Sequence, residues 1–385
     1  MTKIVESPTD ADILSWNQSA WDSIWLSNNQ KLTENIDTSE KTSVENKAYF
    51  VKGTLILTDT GLVPIENINV GTNVWTHRNR WRPVISTSNR KSKTVIIKGN
   101  GQSGLETNLD HHFWARESEP KYGITSKKKT NGGLYRENSP PENLYASDIK
   151  GKYWSTPANI SSMDIPDFEI FPNDGGNLPK KFDEHFFWLV GTWVGQQHFL
   201  TEKKVGSIQF IGNAAVEKTI STAGFHYGIS KENGNIKFTI ASKPVARWLE
   251  THFGYEEKRI PAWLFGCGQH IRRSFFDGFI RASGETKIYK NGSTVTSLFT
   301  NSKYLAYGIK ILSASLDFGS LIWHSIRKKT YRLSLYESPR GSFIADDFLW
   351  GRVRTVTPTN KTTTVYNLVV EEDNSYVADS IVIGN

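Results

Sequence analysis

The residue with the most direct chemistry is Asn385, which follows the apolar run Ile381-Val382-Ile383-Gly384. An asparagine amide can attack its own backbone carbonyl, closing a succinimide and cutting the chain after itself. The preceding residues read as short strands, Val365–Val370 and Tyr376–Val377 running into Ile381–Ile383, split by the polar turn Glu371-Glu372-Asp373-Asn374-Ser375. A reactive amide after a β-rich hairpin points to self-cleavage; an ordinary edge hairpin is the alternative the segment leaves open. A second chemistry is written in positive charge. Arg78, Arg80, Arg82, Arg90, Lys91, Lys93 and Lys98 crowd one region, Lys127-Lys128-Lys129 a second and Arg327-Lys328-Lys329 a third. Such runs suit phosphate oxygens, and each is also what a solvated loop carries.

Composition narrows the class. The 385 residues carry a formal charge of +7, a balance that favours a polyanionic partner. No apolar run approaches the length of a membrane span, and the opening MTKIVESPTD lacks the apolar core of a secretory signal, so a cytoplasmic location is expected. The lone Cys267 excludes an internal disulfide framework and a cysteine-based zinc cluster.

The elements that must position these groups change texture along the chain. Residues 1–48 read as an appendage: Thr9 caps a predicted helix from about Ala11 to Leu32, and the polar stretch LTENIDTSEKTSVENK follows it. From Tyr49 the pattern is short strands and turns, with Asp59-Thr60-Gly61 joining Leu55–Leu57 to Leu62–Ile65. From about Asp183 it turns helical. His185–Gln197 is apolar with Gly191 and Gly195 four apart, and Ser274–Glu285 is apolar with Gly278 at the matching place. Similar segments follow each helix, setting Phe210 against Phe299 and Asn213 against Asn301. A duplicated αββα-type unit is the prediction. After Ser342–Arg354 the sequence returns to β type.

The stretch YFVKGTLILTDTGLVPIENINVGTNVWT resembles the first block of the Hint (hedgehog/intein) fold, in which a nucleophile sits four residues before a Gly-Thr pair. Gly53-Thr54 is that pair here, so the nucleophile position falls on Tyr49. Family members carry Cys, Ser or Ala there, and a phenol on a rigid ring cannot attack the preceding carbonyl as a thiolate does. Thr107-Asn108-Leu109-Asp110-His111-His112-Phe113 resembles the next block, whose Thr and His, three residues apart, polarise the upstream scissile peptide. The resemblance assigns His111 to that role, with Asn108 where the Thr stands. The C-terminal segment resembles the closing intein motifs, with Asn385 as cyclising residue, Asn374 where a His often assists, and Gly384 where the penultimate His is common.

The region Asp183–Ala345 resembles the LAGLIDADG (DOD-type) homing endonucleases. The most specific match is Lys258–Gly284, KRIPAWLFGCGQHIRRSFFDGFIRASG. The resemblance implies two helices packed through small residues, each ending in an acid, the pair sharing divalent metal over the scissile phosphates. Here those positions fall on Gln196 and Ser283, both neutral, and Glu285 is the nearest acid. Mg²⁺ is the family cofactor, and productive binding is not expected from these side chains. Lys127, Lys128, Lys129, Lys303, Lys310, Arg327 and Lys328 are the candidate DNA contacts.

The expected architecture is therefore multi-domain: an appendage (1–48, an N-extein remnant on this reading), and an all-β horseshoe Hint domain from 49–160 and 346–385. An α/β endonuclease of two pseudo-symmetric repeats (183–345) is inserted in it. The resemblance implies protein splicing and double-strand DNA cleavage, both impaired at the substituted positions. The partners it implies are double-stranded DNA and host extein sequences, and a monomer is expected. The alternatives are a non-catalytic DNA-binding relic, or a domain keeping only C-terminal cleavage at Asn385. One geometric expectation underlies all three: the regions of Tyr49 and Asn385 meet in one β-domain.

Overall fold

The computed structural model describes residues 49–122, 134–196, 206–232, 234–290, 292, 294–325, 327–337 and 341–384. The predicted N-terminal helix, the Lys127–Lys129 run and Asn385 itself lie outside the described residues.

Two long strands frame the β part. Trp81–Gly99 and Phe348–Val370 run antiparallel, from Val353 opposite Gly99 to Val370 opposite Val84. Their register slips between Val353 and Thr355, Pro358 and Thr362, and Val369 and Val370, and such bulges bend and twist a ribbon. Alternation sorts the faces: Val95, Ile97, Val353, Val365 and Leu368 are buried, whereas Lys91, Lys93 and Thr355 are not. The C-terminal segment forms a tight hairpin, Ser375–Ala378 against Ile381–Gly384, turning at Asp379-Ser380. That turn divides the run that the sequence alone presents as continuous. One sheet gathers these strands with Phe50–Val51, Leu55–Thr58, Gln102–Thr107, His112–Arg116 and Tyr153–Pro157. Ser342–Ala345 also joins it, paired with Phe348–Gly351, so the β-domain resumes near 342 rather than at the expected 346.

The inserted part is built on two helices. Helix α1 (Glu184–Gly195) opens at Asp183, whose carboxylate accepts from the backbone N–H of His185 and Phe186, a cap worth ~1 kcal/mol. The other helices are α2 (Ala214–Ala223), α3 (Lys243–Phe253), α4 (Ala262–Gly266), α5 (Gln269–Ser283) and α6 (Lys303–Ala314). Helices α1 and α5 cross at their glycines: a Cβ on Gly191 would overlap the Phe275 carbonyl, and one on Gly278 would overlap the Trp188 carbonyl. Side-chain-free positions are what let the two backbones touch. The relation is reciprocal, because one sequence spacing separates Gly191 from Gly278 and Trp188 from Phe275.

Each helix of the pair leads into a sheet of the same strand order. Ser207–Gly212, Asn235–Ala241 and Gly228–Glu232 form one, and Thr294–Thr300, Thr330–Tyr336 and Gly319–Ser325 form the other, with Gly284–Ile288 added at its edge. The repeat is thus longer than the predicted αββα unit, since two strands follow the second helix of each. The short polar strand Gly228–Glu232 has no apolar alternation to announce it. The expected match of Phe210 to Phe299 also shifts. Phe210 is buried and Phe299 faces out, so Leu298 takes the equivalent core place.

The β part and the insert share one hydrophobic cluster. Leu55, Leu57, Trp75, Trp350, Val377 and Val382 belong to the same buried group as Phe187, Phe275, Tyr307 and Leu333. A second cluster around Phe50, Phe113, Leu368 and Tyr376 belongs to the β part alone.

Candidate functional site

Tyr49 enters the sheet beside two segments. Phe50 is opposite Thr107 on one side and Tyr366 on the other. The backbone N–H of Tyr49 donates to Oδ1 of Asn108 (3.0 Å), and its carbonyl accepts from Thr107 Oγ1 (2.6 Å) and the Asn108 N–H (3.3 Å). The N–H gripped by Asn108 belongs to the peptide that joins residues 48 and 49. The side chain of Tyr49 is almost wholly buried, with the Arg90 guanidinium 4.3 Å over its ring.

His111 follows on a short turn, its N–H donating to the Asn108 carbonyl (3.4 Å) and its carbonyl accepting from Ala146 (2.7 Å). The imidazole is fully buried with its edge on Phe50 (4.2 Å) and near Phe113 (4.9 Å). Neither ring nitrogen has a hydrogen-bond partner among the described residues. Burial, assisted by the neighbouring His112, holds its pKa well below the usual histidine range, so the ring is neutral at pH 7. An unpartnered imidazole nitrogen costs roughly 1–3 kcal/mol in a dry interior, and a buried group with a strongly shifted pKa is a candidate for a working site.

The C-terminal hairpin reaches the same place from the other side. Gly384 is opposite His112 on one neighbouring strand and opposite Ser375 on the other, and Ile383 is opposite Phe113. The stretch 107–112 therefore contacts both Tyr49 and Gly384, as the geometric expectation required of the residues that are described. A Cβ on Gly384 would overlap the exposed side-chain amide of Asn143, which would have to swing aside for a larger penultimate residue. His77, unremarked in the sequence, bonds Ser375 through Nδ1 (2.6 Å), and burial lowers its pKa. Tyr376 Oη and both side-chain polar atoms of Asn367 are buried near Phe50 without partners among the described residues. No spacing rule announces these three; they emerge only when the sheet closes.

The polar turn of 371–374 has a structural task. Asp373 accepts from Thr76 Oγ1 (2.7 Å) and Arg80 Nε (2.8 Å), while Glu372 accepts from Arg80 (2.8 Å) and Arg82 (3.0 Å). Burial works to raise the Asp373 carboxyl, but the Arg80 and Thr76 hydrogen bonds and the Arg80 and Arg78 charges outweigh it and hold it at about 2. Arg80 and Arg82 of the first basic cluster are therefore engaged within the chain.

At the insert, the two acid positions lie at the helix ends and point elsewhere. Gln196 caps the C-terminus of α1, and its amide pairs with the Ile211 backbone: Oε1 accepts from the N–H (3.0 Å) and Nε2 donates to the carbonyl. Ser283 Oγ donates back to the Phe279 carbonyl (2.9 Å). Glu285 is exposed in the following strand. No group of three His, Cys, Asp or Glu suited to a metal ion occurs among the described residues. Two neutral side chains already bonded to backbone do not fit Mg²⁺, which takes carboxylate oxygen.

Two of the lysines assigned to DNA are placed otherwise. Lys310 is buried with Nζ 2.6 Å from Ser380 Oγ, and burial lowers its pKa to about 7 against the opposing Asp379 charge. Lys303 Nζ bonds the Gly53 carbonyl (2.8 Å) and Asp379 (2.9 Å). Both long side chains point inward because the β-domain supplies oxygens there. Arg327 and Lys328 are exposed in the turn that follows the strand carrying exposed Trp323 and His324, the latter stacked on Tyr331 (4.2 Å). No described helix is long and apolar enough to cross a membrane.

Known proteins resemble parts of this arrangement. A Hint domain family model matches residues 48–103. The chain is 23% identical over 409 aligned positions to the ATP-dependent DNA helicase Hel308 of Thermococcus kodakarensis, covering 86% of this chain and 35% of that one. It is 26% identical over 135 positions to an iron-sulfur cluster assembly SufBD family protein of Mycobacterium leprae, covering 33% and 15%. The chain thus spans about a third or less of the length of these curated relatives. Among solved structures, I-DmoI in complex with DNA and Mn is similar with a TM-score of 0.29 and 14% identity over 40% of this chain and 90% of that one. The gp41-1 intein gives a TM-score of 0.17 and 18% identity over 26% and 84%. What these comparisons show of the chain itself is a match to the Hint domain over residues 48–103.

Proposed function

We propose that the chain is a self-processing Hint domain whose upstream acyl-shift step is disabled and whose downstream asparagine step is the one left to it. The observation that carries this is the grip of Asn108 on the Tyr49 N–H beside His111, whose ring nitrogens have no partner among the described residues. Asn108 holds the peptide N–H and the His111 ring nitrogens are uncommitted among the described residues, which supports a proton-donor role for His111, whereas Tyr49 supplies a phenol where a small nucleophile is needed. Asn385 carries the remaining nucleophile, its own side-chain amide. The test is mass spectrometry of the chain extended by a short peptide beyond Asn385. Release of that peptide with a succinimide on Asn385, and no cut before Tyr49, is the expected result. An uncut extended chain after prolonged incubation overturns it.

The insert supports a second reading, DNA binding without cleavage. Exposed Trp323, Phe299, Arg327 and Lys328 lie on one sheet and its turn, a mixture of rings and cations suited to a nucleic-acid surface. Duplex binding that weakens steeply as salt rises, with no strand break in Mg²⁺ or Mn²⁺, is expected. A metal-dependent break restores nuclease function to the insert.

A further inference from the structure

Helix α6 of the insert presents three residues on one face, Lys303, Tyr307 and Lys310, at the i, i+4 and i+7 spacing of a helical stripe. All three bond to the β-domain. Lys303 holds the Gly53 carbonyl and the Asp379 carboxylate, tying the segment after Tyr49 to the turn of the C-terminal hairpin. Tyr307 Oη donates to Gln102 Oε1 (2.7 Å), and Gln102 Nε2 donates to the Asp379 carbonyl (3.0 Å). Lys310 donates to Ser380 Oγ.

The turn they reach is unusual. Asp379 and Ser380 have φ of 42° and 69°, so both sit in the left-handed region, where a two-residue hairpin turn favours Asn-Gly. Neither residue is glycine, and the strain has to be held from outside. The outside contacts are the Leu55 N–H, which donates to Asp379 Oδ1 (2.8 Å), and the α6 stripe. The buried cluster common to the hairpin residues Val377 and Val382 and to Tyr307 of α6 seals the same seam.

We propose that the insert serves the β-domain as a clamp, α6 fixing the Asp379-Ser380 turn and with it the strand that leads to residue 385. This role needs no metal and no acid at the ends of α1 and α5. It accounts for an insert that keeps its glycine-packed helix pair while Gln196 and Ser283 stand at the acid positions. The clamp itself does not depend on self-processing; only its consequence for cleavage rests on that reading.

The test is hydrogen exchange, read peptide by peptide, on the full chain and on Lys303→Gln and Tyr307→Phe. The second variant removes a single hydroxyl and safeguards the test if the first does not fold. Exchange of the 375–384 hairpin is expected to quicken about tenfold in each, with α1 and α5 unchanged. Unchanged hairpin exchange in the folded variants overturns the proposal. An equal rise in every peptide also overturns it, since that reports general loss of stability. These readings hold whether or not the extended chain cleaves, so failure of the clamp and failure of the self-processing reading are told apart.

Discussion

Asn108 Oδ1 accepts the Tyr49 N–H at 3.0 Å, and Asn108 stands three residues before His111, where the Hint resemblance would place a Thr. An amide oxygen and a hydroxyl oxygen can both accept from a peptide nitrogen, so the substitution keeps the interaction. On the self-processing reading proposed above, the group that is missing is the nucleophile at Tyr49. Tyr49→Cys is therefore expected to restore a thioester at the 48–49 junction, seen as thiol-induced cleavage before residue 49. Adding His111→Ala should slow that cleavage by about 10²–10⁴, the usual contribution of a positioned proton donor. Mass spectrometry after thiol treatment measures both. Equal cleavage with and without His111 would remove His111 from the site.

Much of this site was legible because its motif residues are close in sequence. Gly53-Thr54 located Tyr49, and Asp110 located His111. The glycines of α1 and α5 announced their crossing because only a missing Cβ permits it. The clamp was not legible. Lys303 and Lys310 read as phosphate contacts because a lysine on a helix gives no sign of what it faces, and the residues they reach are distant in sequence. The Asp379-Ser380 turn hid for a related reason, since its φ values are imposed by tertiary contacts and no glycine marks it. The partners of Gln196 depend likewise on where the Ser207–Gly212 strand lies.

The crossing of α1 and α5 gives a direct stability test. Gly191→Ala places a methyl against the Phe275 carbonyl, and Gly278→Ala does the same at Trp188. Backbone cannot yield as a side-chain tip can, so each variant should lose at least about 1–3 kcal/mol in urea unfolding. Loss in one variant only would mean that the helix pair is not symmetric in its packing.

Asp373 sets an acid limb. Its pKa is held at about 2, below the unfolded value, so its contribution is full above about pH 4 and is lost as pH falls toward 2. Asp373→Asn is expected to lower stability at pH 7 by on the order of 2 kcal/mol and to converge with the parent near pH 2. Thermal melts across that range read the difference. A gap that persists at pH 2 would assign the loss to packing rather than to charge.

Lys310 acts in the opposite sense. Burial lowers its pKa to about 7, while the unfolded amine stays protonated to above 10. Between those values the unfolded chain binds the extra proton, so stability should rise with pH by up to ~1.4 kcal/mol per unit. Asp379 is the charged group facing it, and Tyr307 and Tyr331 are held neutral by burial over this range. Lys310→Met should abolish that slope in melts from pH 7 to 9. An equal slope in the variant would place the titrating group elsewhere.

The acid positions predict what restoration requires. Gln196 uses both ends of its amide on the Ile211 backbone, and an aspartate can replace only the acceptor role. Gln196→Asp alone should therefore strand the Ile211 carbonyl and lose about 1–3 kcal/mol of stability. With Ser283→Asp as well, two carboxylates stand at the ends of the paired helices, and a divalent ion has the charge it needs between them. Calorimetric titration with Mn²⁺ should detect binding in the double variant and none in the parent. Binding in the parent would mean that Glu285 or a residue outside the described set already supplies a site. Absence of binding in the double variant would mean that the helix ends are too far apart for two acids to share an ion.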